Sequence, residues 1–314
     1  MDSYTGLKSG AAVAMRLPTI SRRRFLAGSL AAGVGLLASR WLAAAEPSAD
    51  ANYFVLMADT HIRRNRAEER RGVKPAEAFE RATKEILAMP TRPSGVIIAG
   101  DCAEGESGGY ATFREVIKPL EKAKVPLHLV LGNHDSRDKF LAAFPEMKFL
   151  PIDDVKPPSK LVSIWETPQA NWFLLDSAVR PKVHTGEFGE SQLAWLAKAL
   201  DARADKPALV VAHHHPDPFR KFNGLTDTGA FLKVVLPRKQ VKAYFYGHTH
   251  IMGFAEMSGM HFVNLPAMAW AFDPTQPRGY VMVRLRPDGA TLVLHTLDHN
   301  DARCGQKIEL AWRK

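Results

Sequence analysis

The chain has 314 residues, of which 46% are hydrophobic and 24% are charged, and this composition excludes a disordered, collagen-like or coiled-coil protein. Its only cysteines, Cys102 and Cys304, are too few for a disulfide framework or a cysteine-based zinc site. We expect both to be unpaired, although one bridge between them is conceivable. The net charge of +9 includes +5 from the first 45 residues, so the rest carries only +4. That surplus is too small to indicate nucleic-acid binding, and we expect none.

The first 45 residues predict an export signal. The sequence Ser21-Arg22-Arg23-Arg24-Phe25-Leu26 precedes a mostly apolar stretch to Ala38, and three alanines end at Ala45. A basic segment, a short apolar segment and small residues form a secretory signal, and paired arginines before Phe-Leu resemble a twin-arginine signal. An uncleaved membrane anchor is the alternative, but the 14 residues from Phe25 to Ala38 fall short of the about 20 that span a bilayer.

We therefore expect the twin-arginine export machinery to recognise the precursor and cleavage to occur near Ala45. The mature protein is then periplasmic or secreted, with no stable membrane span.

From Tyr53 onward, short apolar runs alternate with amphipathic stretches, and this pattern predicts an α/β layer fold. Runs rich in β-branched and aromatic residues are too short for helices and predict strands at 53–58, 95–99, 126–131, 208–212 and 242–246. Helices are predicted between them, at 75–89, 110–122, 137–144, 190–201 and 228–236.

The remaining strands are predicted in two groups. Residues 161–166 and 171–176 form a hairpin-like pair, and strands at 261–265, 280–286 and 291–297 follow, with Pro287-Asp288-Gly289 as a turn. Two groups of strands with flanking helices predict two packed sheets in one domain, residues 46–314.

A polar motif follows each of the five predicted strands that alternate with helices. The motifs are Asp59-Thr60-His61, Gly100-Asp101, Gly132-Asn133-His134-Asp135, His213-His214-His215-Pro216 and Gly247-His248-Thr249-His250. Sites in open α/β sheets form outside the carboxyl ends of the strands, so we expect the five motifs to converge. A lone Asp or His after a strand is usually a turn former, whereas five such motifs indicate a site.

These motifs supply oxygen and nitrogen ligands for metal ions. Two carboxylates, one amide oxygen and four imidazoles, without a thiolate, suit Mn, Fe, Zn or Co. Seven ligands are too many for one catalytic ion with an open position and fit two ions that share a carboxylate. Such a pair can clamp a phosphoryl group and hold a hydroxide for in-line attack.

The motif order D-x-H, G-D, G-N-H-D, H-x-P, G-H-x-H resembles the calcineurin-like metallophosphoesterase superfamily over about residues 52–298. The resemblance implies a four-layer α/β/β/α sandwich with two divalent or trivalent transition-metal ions. It implies that one ion is held by Asp59, His61, Asp101 and His250, and the other by Asp101, Asn133, His214 and His248. His214 has the family's spacing to Pro216, and its neighbour His213 is the next candidate.

The resemblance also implies a catalytic residue that is not a metal ligand, His134. In protonated form it can give a proton to the leaving-group oxygen, as a general acid does. We expect Asp135 to orient His134 and to raise the pKa of its imidazole. Glu104 is either an acceptor for a ligand histidine or a solvated loop acid.

Five cationic or imidazole side chains near the motifs could meet a phosphate, although a surface role is commoner for each: Arg63, Arg137, His184, His215 and Arg220.

The expected function is that of an exported, dinuclear metal-dependent phosphoesterase with a small-molecule phosphoester substrate. Residues 174–177 (Leu-Leu-Asp-Ser) and the histidine run resemble the cyclic-nucleotide and glycerophosphodiester branches, so phosphodiesters are favoured. A phosphomonoesterase, a nuclease and a catalytically silent scaffold are the alternatives, and the modest charge disfavours the nuclease. We expect specificity to come from the loops at 62–74, 179–189 and 216–228. The sequence leaves the metal identity and the oligomeric state open.

Overall fold

A computed structural model describes residues 49–153 and 158–314 of the chain. The predicted export signal at residues 1–45 lies outside the described residues. The described strands are β1 (Ala49–Met57), β2 (Arg92–Ala99), β3 (Leu127–Val130), β4 (Ser163–Glu166), β5 (Asn171–Leu174), β6 (Ala208–Val211), β7 (Val241–Tyr246), β8 (Gly253–Met257), β9 (Met260–Asn264), β10 (Gly279–Arg286), β11 (Gly289–Thr296) and β12 (Lys307–Ala311). The described helices are α1 (Pro75–Leu87), α2 (Gly109–Lys122), α3 (Arg137–Ala143), α4 (Glu190–Asp201) and α5 (Thr228–Val235).

These strands form two mixed sheets of six strands each within the described part of the chain. The first has the order β12-β11-β10-β1-β2-β3, and the second has the order β4-β5-β6-β7-β9-β8. The neighbouring strands β1, β2 and β3 of the first sheet are parallel, as are β5, β6, β7 and β9 of the second. The parallel strands therefore present their carboxyl ends, where the polar motifs begin, at one edge of each sheet.

Strand β1 shows why the sheets are buried on both faces. Its side chains alternate, so that Phe54 and Leu56 enter the core between the two sheets, whereas Val55 and Met57 face α1 and α2. All four are fully buried. Because both faces are covered here, residues 53–57 are apolar without interruption, and their hydrophobic pattern does not show which face each residue occupies.

Helices cover the outer face of each sheet. Phe79 of α1 and Phe113 of α2 pack on the first sheet, while Leu196 of α4 and Phe231 of α5 pack on the second. The order of layers is therefore helices, first sheet, second sheet and helices, with an apolar core between each pair of neighbours. The predicted four-layer α/β/β/α sandwich is confirmed.

The predicted helices and strands all occur within a few residues of their expected limits. The sequence did not predict β8 and β12. β12 is an edge strand of the first sheet and β8 of the second, and both expose most of their side chains. An edge strand of this kind buries little apolar surface, so its hydrophobic pattern is weak. Cys102 and Cys304 are both unpaired, as expected. Among the helices of the described residues, none has the length and apolar character needed to cross a membrane.

Candidate metal centre and active site

The five strand-end motifs meet at the edge where the two sheets face each other. Their side chains come from the ends of β1, β2 and β3 in one sheet and of β6 and β7 in the other. Residues as distant in sequence as His61 and His250 bring ring nitrogens within 3.2 Å of each other. The predicted convergence of the five motifs is therefore observed.

A first group of possible ligands is centred on Asp59. The Nε2 atom of His250 lies 3.2 Å from Oδ1 of Asp59, and Nε2 of His61 lies 3.6 Å from Oδ2 of Asp101. All four residues are at most 2% exposed. This grouping agrees with the set expected for one metal ion.

A second group shares Asp101 with the first. Nε2 of His213 lies 3.3 Å from Oδ2 of Asp101, 3.2 Å from Oδ1 of Asn133 and 3.3 Å from Nδ1 of His248. Asp101 therefore lies between the groups, where a shared carboxylate is expected.

His213, and not His214, lies beside Asp101 and Asn133 in the structure. The sequence favoured His214, but its Nδ1 atom faces the Ser177 hydroxyl at 2.8 Å, outside the group around Asp101. The strand alternation explains this. Leu209 and Val211 of β6 face the other sheet, and His213 lies on the same face, towards the metal centre. His214 lies on the opposite face of the strand. The geometry therefore favours His213 over His214 as the histidine for the second metal ion.

The four inward-facing histidines suit cation binding because the other nitrogen of each ring is already engaged. His61 Nδ1 faces Glu104 Oε1 at 3.2 Å, and His213 Nδ1 faces the Ala99 carbonyl at 2.9 Å. Likewise, Nε2 of His248 faces the Asn223 carbonyl, and Nδ1 of His250 faces the Trp270 carbonyl. When the outer nitrogen donates its proton to these oxygens, the inner nitrogen presents a lone pair, as in most metal-binding histidines.

The carboxylates of the site also need a positive charge nearby. Burial opposes protonation of His213, but the adjacent Asp101 and Asp59 carboxylates outweigh it and raise the pKa of His213 to about 9. Asp59 likewise helps to raise the pKa of His250, against burial. Protons on these two rings and metal ions thus compete for the same lone pairs. The donor set therefore fits two transition-metal ions.

The backbone at the site is held in a conformation that L-residues rarely adopt. Asp59, His61, Asp101, His248 and His250 all have positive φ angles, between 45° and 70°. Each such residue costs of order 1 kcal/mol and persists only where the surrounding structure enforces it. Their clustering at one point indicates that the fold maintains this strain to direct the five side chains inward.

Gly132 permits the close approach of two strand ends. A Cβ atom at this position would lie 2.1 Å from Oδ1 of Asp101. The same Oδ1 accepts a hydrogen bond from the backbone N–H of His134 at 2.8 Å, so the loop after β3 closes on Asp101. Any side chain at position 132 would displace the shared carboxylate.

His134 is paired with Glu104 and not with Asp135. Nδ1 of His134 lies 3.1 Å from Oε2 of Glu104, whose other oxygen faces His61. Burial lowers the pKa of His134, but the hydrogen bond to Glu104 and the charges of Asp101 and Glu104 raise it to about 9 overall. Of the two roles considered for Glu104, the structure agrees with the acceptor role, since its carboxylate faces the ring of His61 and is not left to solvent.

Asp135 instead fixes the turn that carries the motif. Its carboxylate accepts hydrogen bonds from the backbone N–H groups of Gly132, Cys102 and Ala103 and from the Tyr110 hydroxyl, at 2.9–3.2 Å. Burial and the nearby Asp101 charge raise its pKa to about 7, against the backbone hydrogen bonds. The expectation that Asp135 orients the His134 ring is corrected, because its oxygens are used to join the loops after β2 and β3.

A cavity of about 690 Å³ opens above these groups. His134, His184 and His215 line it, together with Asp101 and Asn133. A volume of this size is typical of small-molecule sites.

The other side chains expected near a phosphate have different partners. Arg137 forms a two-point ion pair with Asp176, whose side chain is fully buried, and Arg63 pairs with Glu68 at 2.6 Å. Arg220 is exposed and does not line the cavity.

Sequence analysis did not single out the aromatic and cationic residues at the cavity wall. The indole of Trp270 stacks on His61 with ring centroids 4.4 Å apart, and Phe272 stacks on His250 at the same separation. Phe222 and Arg71 also line the cavity. These residues belong to loops or follow strands without a motif, so only their position at the cavity wall of the folded protein distinguishes them.

Comparison with known proteins agrees with this geometry. The sequence pattern of the calcineurin-like phosphoesterase family matches residues 53–252, which include all five motifs. The chain belongs to this family. Its members are dinuclear metal enzymes, and the protein is accordingly a metallophosphoesterase, a phosphoric ester hydrolase.

Two relatives carry names that refer to cyclic nucleotides. The 3′,5′-cyclic adenosine monophosphate phosphodiesterase CpdA of Haemophilus influenzae is 29% identical over 248 residues, which are 74% of this chain and 85% of that protein. A probable cyclic nucleotide phosphodiesterase of Rhodopseudomonas palustris is 31% identical over 63% of this chain and 71% of that protein.

Among solved structures, a dimetal phosphatase of Danio rerio superposes with a TM-score of 0.65 and 17% identity, covering 84% of this chain and 99% of that one. At that identity the likeness shows that this metallophosphoesterase shares the fold.

Proposed function

We propose that this metallophosphoesterase hydrolyses phosphodiesters and that 3′,5′-cyclic nucleotides are its substrates. The observation that carries the proposal is the position of His134, paired with Glu104, in the same cavity as the shared Asp101. The names of the two relatives favour a cyclic nucleotide over other diesters.

We assign the two ions to the two groups of side chains described above. Asp59, His61, Asp101 and His250 would hold the first, and Asp101, Asn133, His213 and His248 the second. When bound, a pair of ions neutralises phosphoryl charge and lowers the pKa of a nucleophilic water. Mn, Fe, Zn and Co all suit this mixed oxygen and nitrogen donor set.

His134 supplies the proton in the proposed reaction. Its ring is 28% exposed, so it is accessible from the cavity, and Glu104 stabilises the imidazolium form. A cyclic nucleotide has an alkoxide leaving group, whose departure needs protonation. Glu104 also orients His61, so one carboxylate fixes both the proton donor and a proposed metal ligand.

A glycerophosphodiester or a phosphomonoester would also meet the donor set and His134. These two substrates differ from a cyclic nucleotide in the group attached to the phosphate, which the cavity wall would contact. A nuclease activity is less favoured, because residues after the first 45 carry a surplus of only +4.

Export is part of the proposal and rests on the sequence pattern of the first 45 residues alone. The twin-arginine route transports folded proteins, which would allow metal loading before export, and places the mature enzyme in the periplasm or outside the cell.

The deciding experiment is a substrate panel. Metal-free protein is reloaded with Mn, Co, Zn or Fe/Zn, and initial rates are measured on cyclic AMP, cyclic GMP, glycerophosphoethanolamine and 5′-AMP. We expect kcat/KM to be highest for a cyclic nucleotide. Asp101→Asn controls for contaminating phosphatases, since it removes the shared carboxylate charge. A higher kcat/KM for 5′-AMP or for the glycerophosphodiester would contradict the proposed substrate.

A further inference from the structure

An unpaired aromatic ring stands at the mouth of the active-site cavity. Phe222 is 69% exposed and lines the cavity. Among the described residues it has no stacked ring and no cation over its face. Leaving such a ring in water forgoes the free energy of burying it, so its position at a binding site indicates a ligand that covers it.

The loop that carries Phe222 is held firmly. The carboxylate of Asp217, only 3% exposed, accepts hydrogen bonds from the backbone N–H groups of Lys221 and Phe222 at 3.1 and 2.6 Å. The N–H of Leu225 donates to the His215 carbonyl at 2.9 Å and closes the base of the loop. The ring is exposed on a fixed backbone, which is how a binding group is preorganised.

The same loop is joined to the metal centre. The carbonyl of Asn223, next to Phe222 in the chain, accepts the hydrogen bond from Nε2 of His248 at 3.1 Å. The position of the Phe222 backbone is therefore fixed relative to the group that receives the phosphoryl moiety. A substrate held by its phosphate would present the rest of its structure to this ring.

A second exposed ring lines the same cavity. Phe272 is 57% exposed, with its ring stacked on His250 and the Arg71 guanidinium 5.1 Å from its centroid. Aromatic faces and a guanidinium plane are the groups on which nucleobases stack. An aliphatic headgroup such as glycerol or ethanolamine offers them no π face.

We propose that Phe222 is a specificity-determining residue that stacks on the nucleobase of the substrate, with Phe272 and Arg71 completing the base site. The inference rests on the proposed phosphodiesterase function and extends it, since it explains why a nucleotide is selected over a diester without a base. Phe219 provides a matched control, because it is 74% exposed on the same loop but does not line the cavity.

The test measures binding separately from turnover. Affinities of the metal-loaded protein for 5′-AMP and for ribose 5-phosphate, which differ only by the base, are measured by calorimetry. We expect the wild type to prefer 5′-AMP by about tenfold or more, the usual effect of one stacked base. Phe222→Ala should remove most of this preference, Phe222→Leu part of it, and Phe222→Trp should restore it. Phe219→Ala should keep it.

Three results would overturn the inference. The first is a wild type with no preference for 5′-AMP. The second is a Phe219→Ala variant whose preference falls as much as that of Phe222→Ala. The third is a Phe222→Ala variant whose affinities for both ligands fall equally. The last result would mean that the substitution disturbs His248 through Asn223.

Turnover of cyclic AMP and of base-free ribose 3′,5′-cyclic phosphate is measured in parallel. If neither diester is hydrolysed by the wild type, the proposed function fails, whereas the binding ratios still decide the role of Phe222.

Discussion

Glu104 illustrates how much of this site depends on a single carboxylate. Its two oxygens face His61 and His134, and it lies outside both proposed metal sites. Burial raises the pKa of Glu104, but hydrogen bonds from His134 and His61 and the positive charge of these rings hold it well below its usual range, so Glu104 stays ionised across the working pH range. One anion thus directs a lone pair of His61 inward and keeps a proton on His134.

The sharpest prediction at this scale concerns His134. His134→Ala should retain both metal ions and lose about 10²–10⁴ in kcat on cyclic AMP, because a positioned general acid contributes that much. An activated aryl phosphodiester departs without a proton and should lose far less. Rates on both substrates and metal content by mass spectrometry check this. Equal losses on both substrates would point to ground-state positioning, and loss of metal would place His134 among the ligands.

Glu104→Gln is the companion variant. Without the carboxylate charge, the pKa of His134 falls from its value of about 9. The acid form is then lost at a lower pH, so the alkaline limb of the kcat profile should move downward. An unchanged alkaline limb would mean that another group titrates there.

The exchanged histidines give a second prediction. His213→Ala should reduce metal content to one ion per chain, because the ring nitrogen 3.3 Å from Asp101 and 3.2 Å from Asn133 is removed. His214→Ala should keep two ions and instead lower the stability of the fold, since the buried Ser177 hydroxyl loses its side-chain partner and keeps only the backbone N–H of residue 214. Metal analysis together with thermal unfolding distinguishes the variants. The opposite pattern would restore the sequence-based choice of His214.

At the scale of elements, the edges of the two sheets are joined by one ring stack. His128 of β3 lies parallel to Trp165 of β4, with centroids 4.1 Å apart and an interplanar angle of 19°. Gly95 of β2 leaves room for this indole, because a Cβ there would lie 2.7 Å from its ring. The ring of His128 is therefore enclosed between the sheets at their edge, and its Nε2 has no hydrogen-bond partner among the described residues.

Burial lowers the pKa of His128 to about 4. The unfolded chain takes up a proton near pH 6.5, but the folded protein does not until about pH 4, so folding stability is complete above pH 6.5 and declines below it. We expect a loss of roughly 1–2 kcal/mol between pH 7 and pH 4.5 from this residue, because the half-buried ring is partly screened.

The measurement is urea unfolding of metal-free wild type and His128→Phe at both pH values. His128→Phe should lose less stability than the wild type on acidification, since phenylalanine keeps the stack without a titrating nitrogen. Identical losses in the two proteins would show that His128 does not contribute to the pH dependence.

At the scale of the whole molecule, the four layers bring together motifs that are far apart in the chain. Each sheet contributes strand ends to the site, and the core between the sheets, which includes Leu56 and Val211, fixes their separation. The packing between the sheets therefore sets the rigidity of the site. It also holds the strained backbone at Asp59, after β1 of the first sheet, and at His250, after β7 of the second.

Export gives the prediction for the whole protein. Replacing Arg22 and Arg23 by Lys should leave the precursor in the cytoplasm if it uses the twin-arginine route, because the charge is kept while the arginine pair is lost. Arg24→Lys is the matched control and should be exported normally. Cell fractionation with immunodetection of the mature form checks this. Mature protein in the periplasm at the wild-type level for the double variant would rule out that route.

The sequence by itself determined the fold class and the motif positions because these are local properties. Five short apolar runs, each followed by a polar motif, locate the strand ends whatever the surrounding structure is. The carboxyl ends of parallel strands meet at one edge, so convergence of Asp59, Asp101 and Asn133 follows from the pattern. The two edge strands were missed because they expose most of their side chains and so leave no such pattern.

Only the tertiary structure decided which neighbour in a motif faces the centre. Strand β6 is buried on both faces, so its hydrophobic pattern does not distinguish the phase of His213 from that of His214. The carboxylate partner of His134 is likewise Glu104, 30 residues earlier, and not the adjacent Asp135. Phe222 has no motif at all, and its importance lies in where a closed loop holds it. These are relations between distant segments, which packing fixes and a linear pattern does not contain.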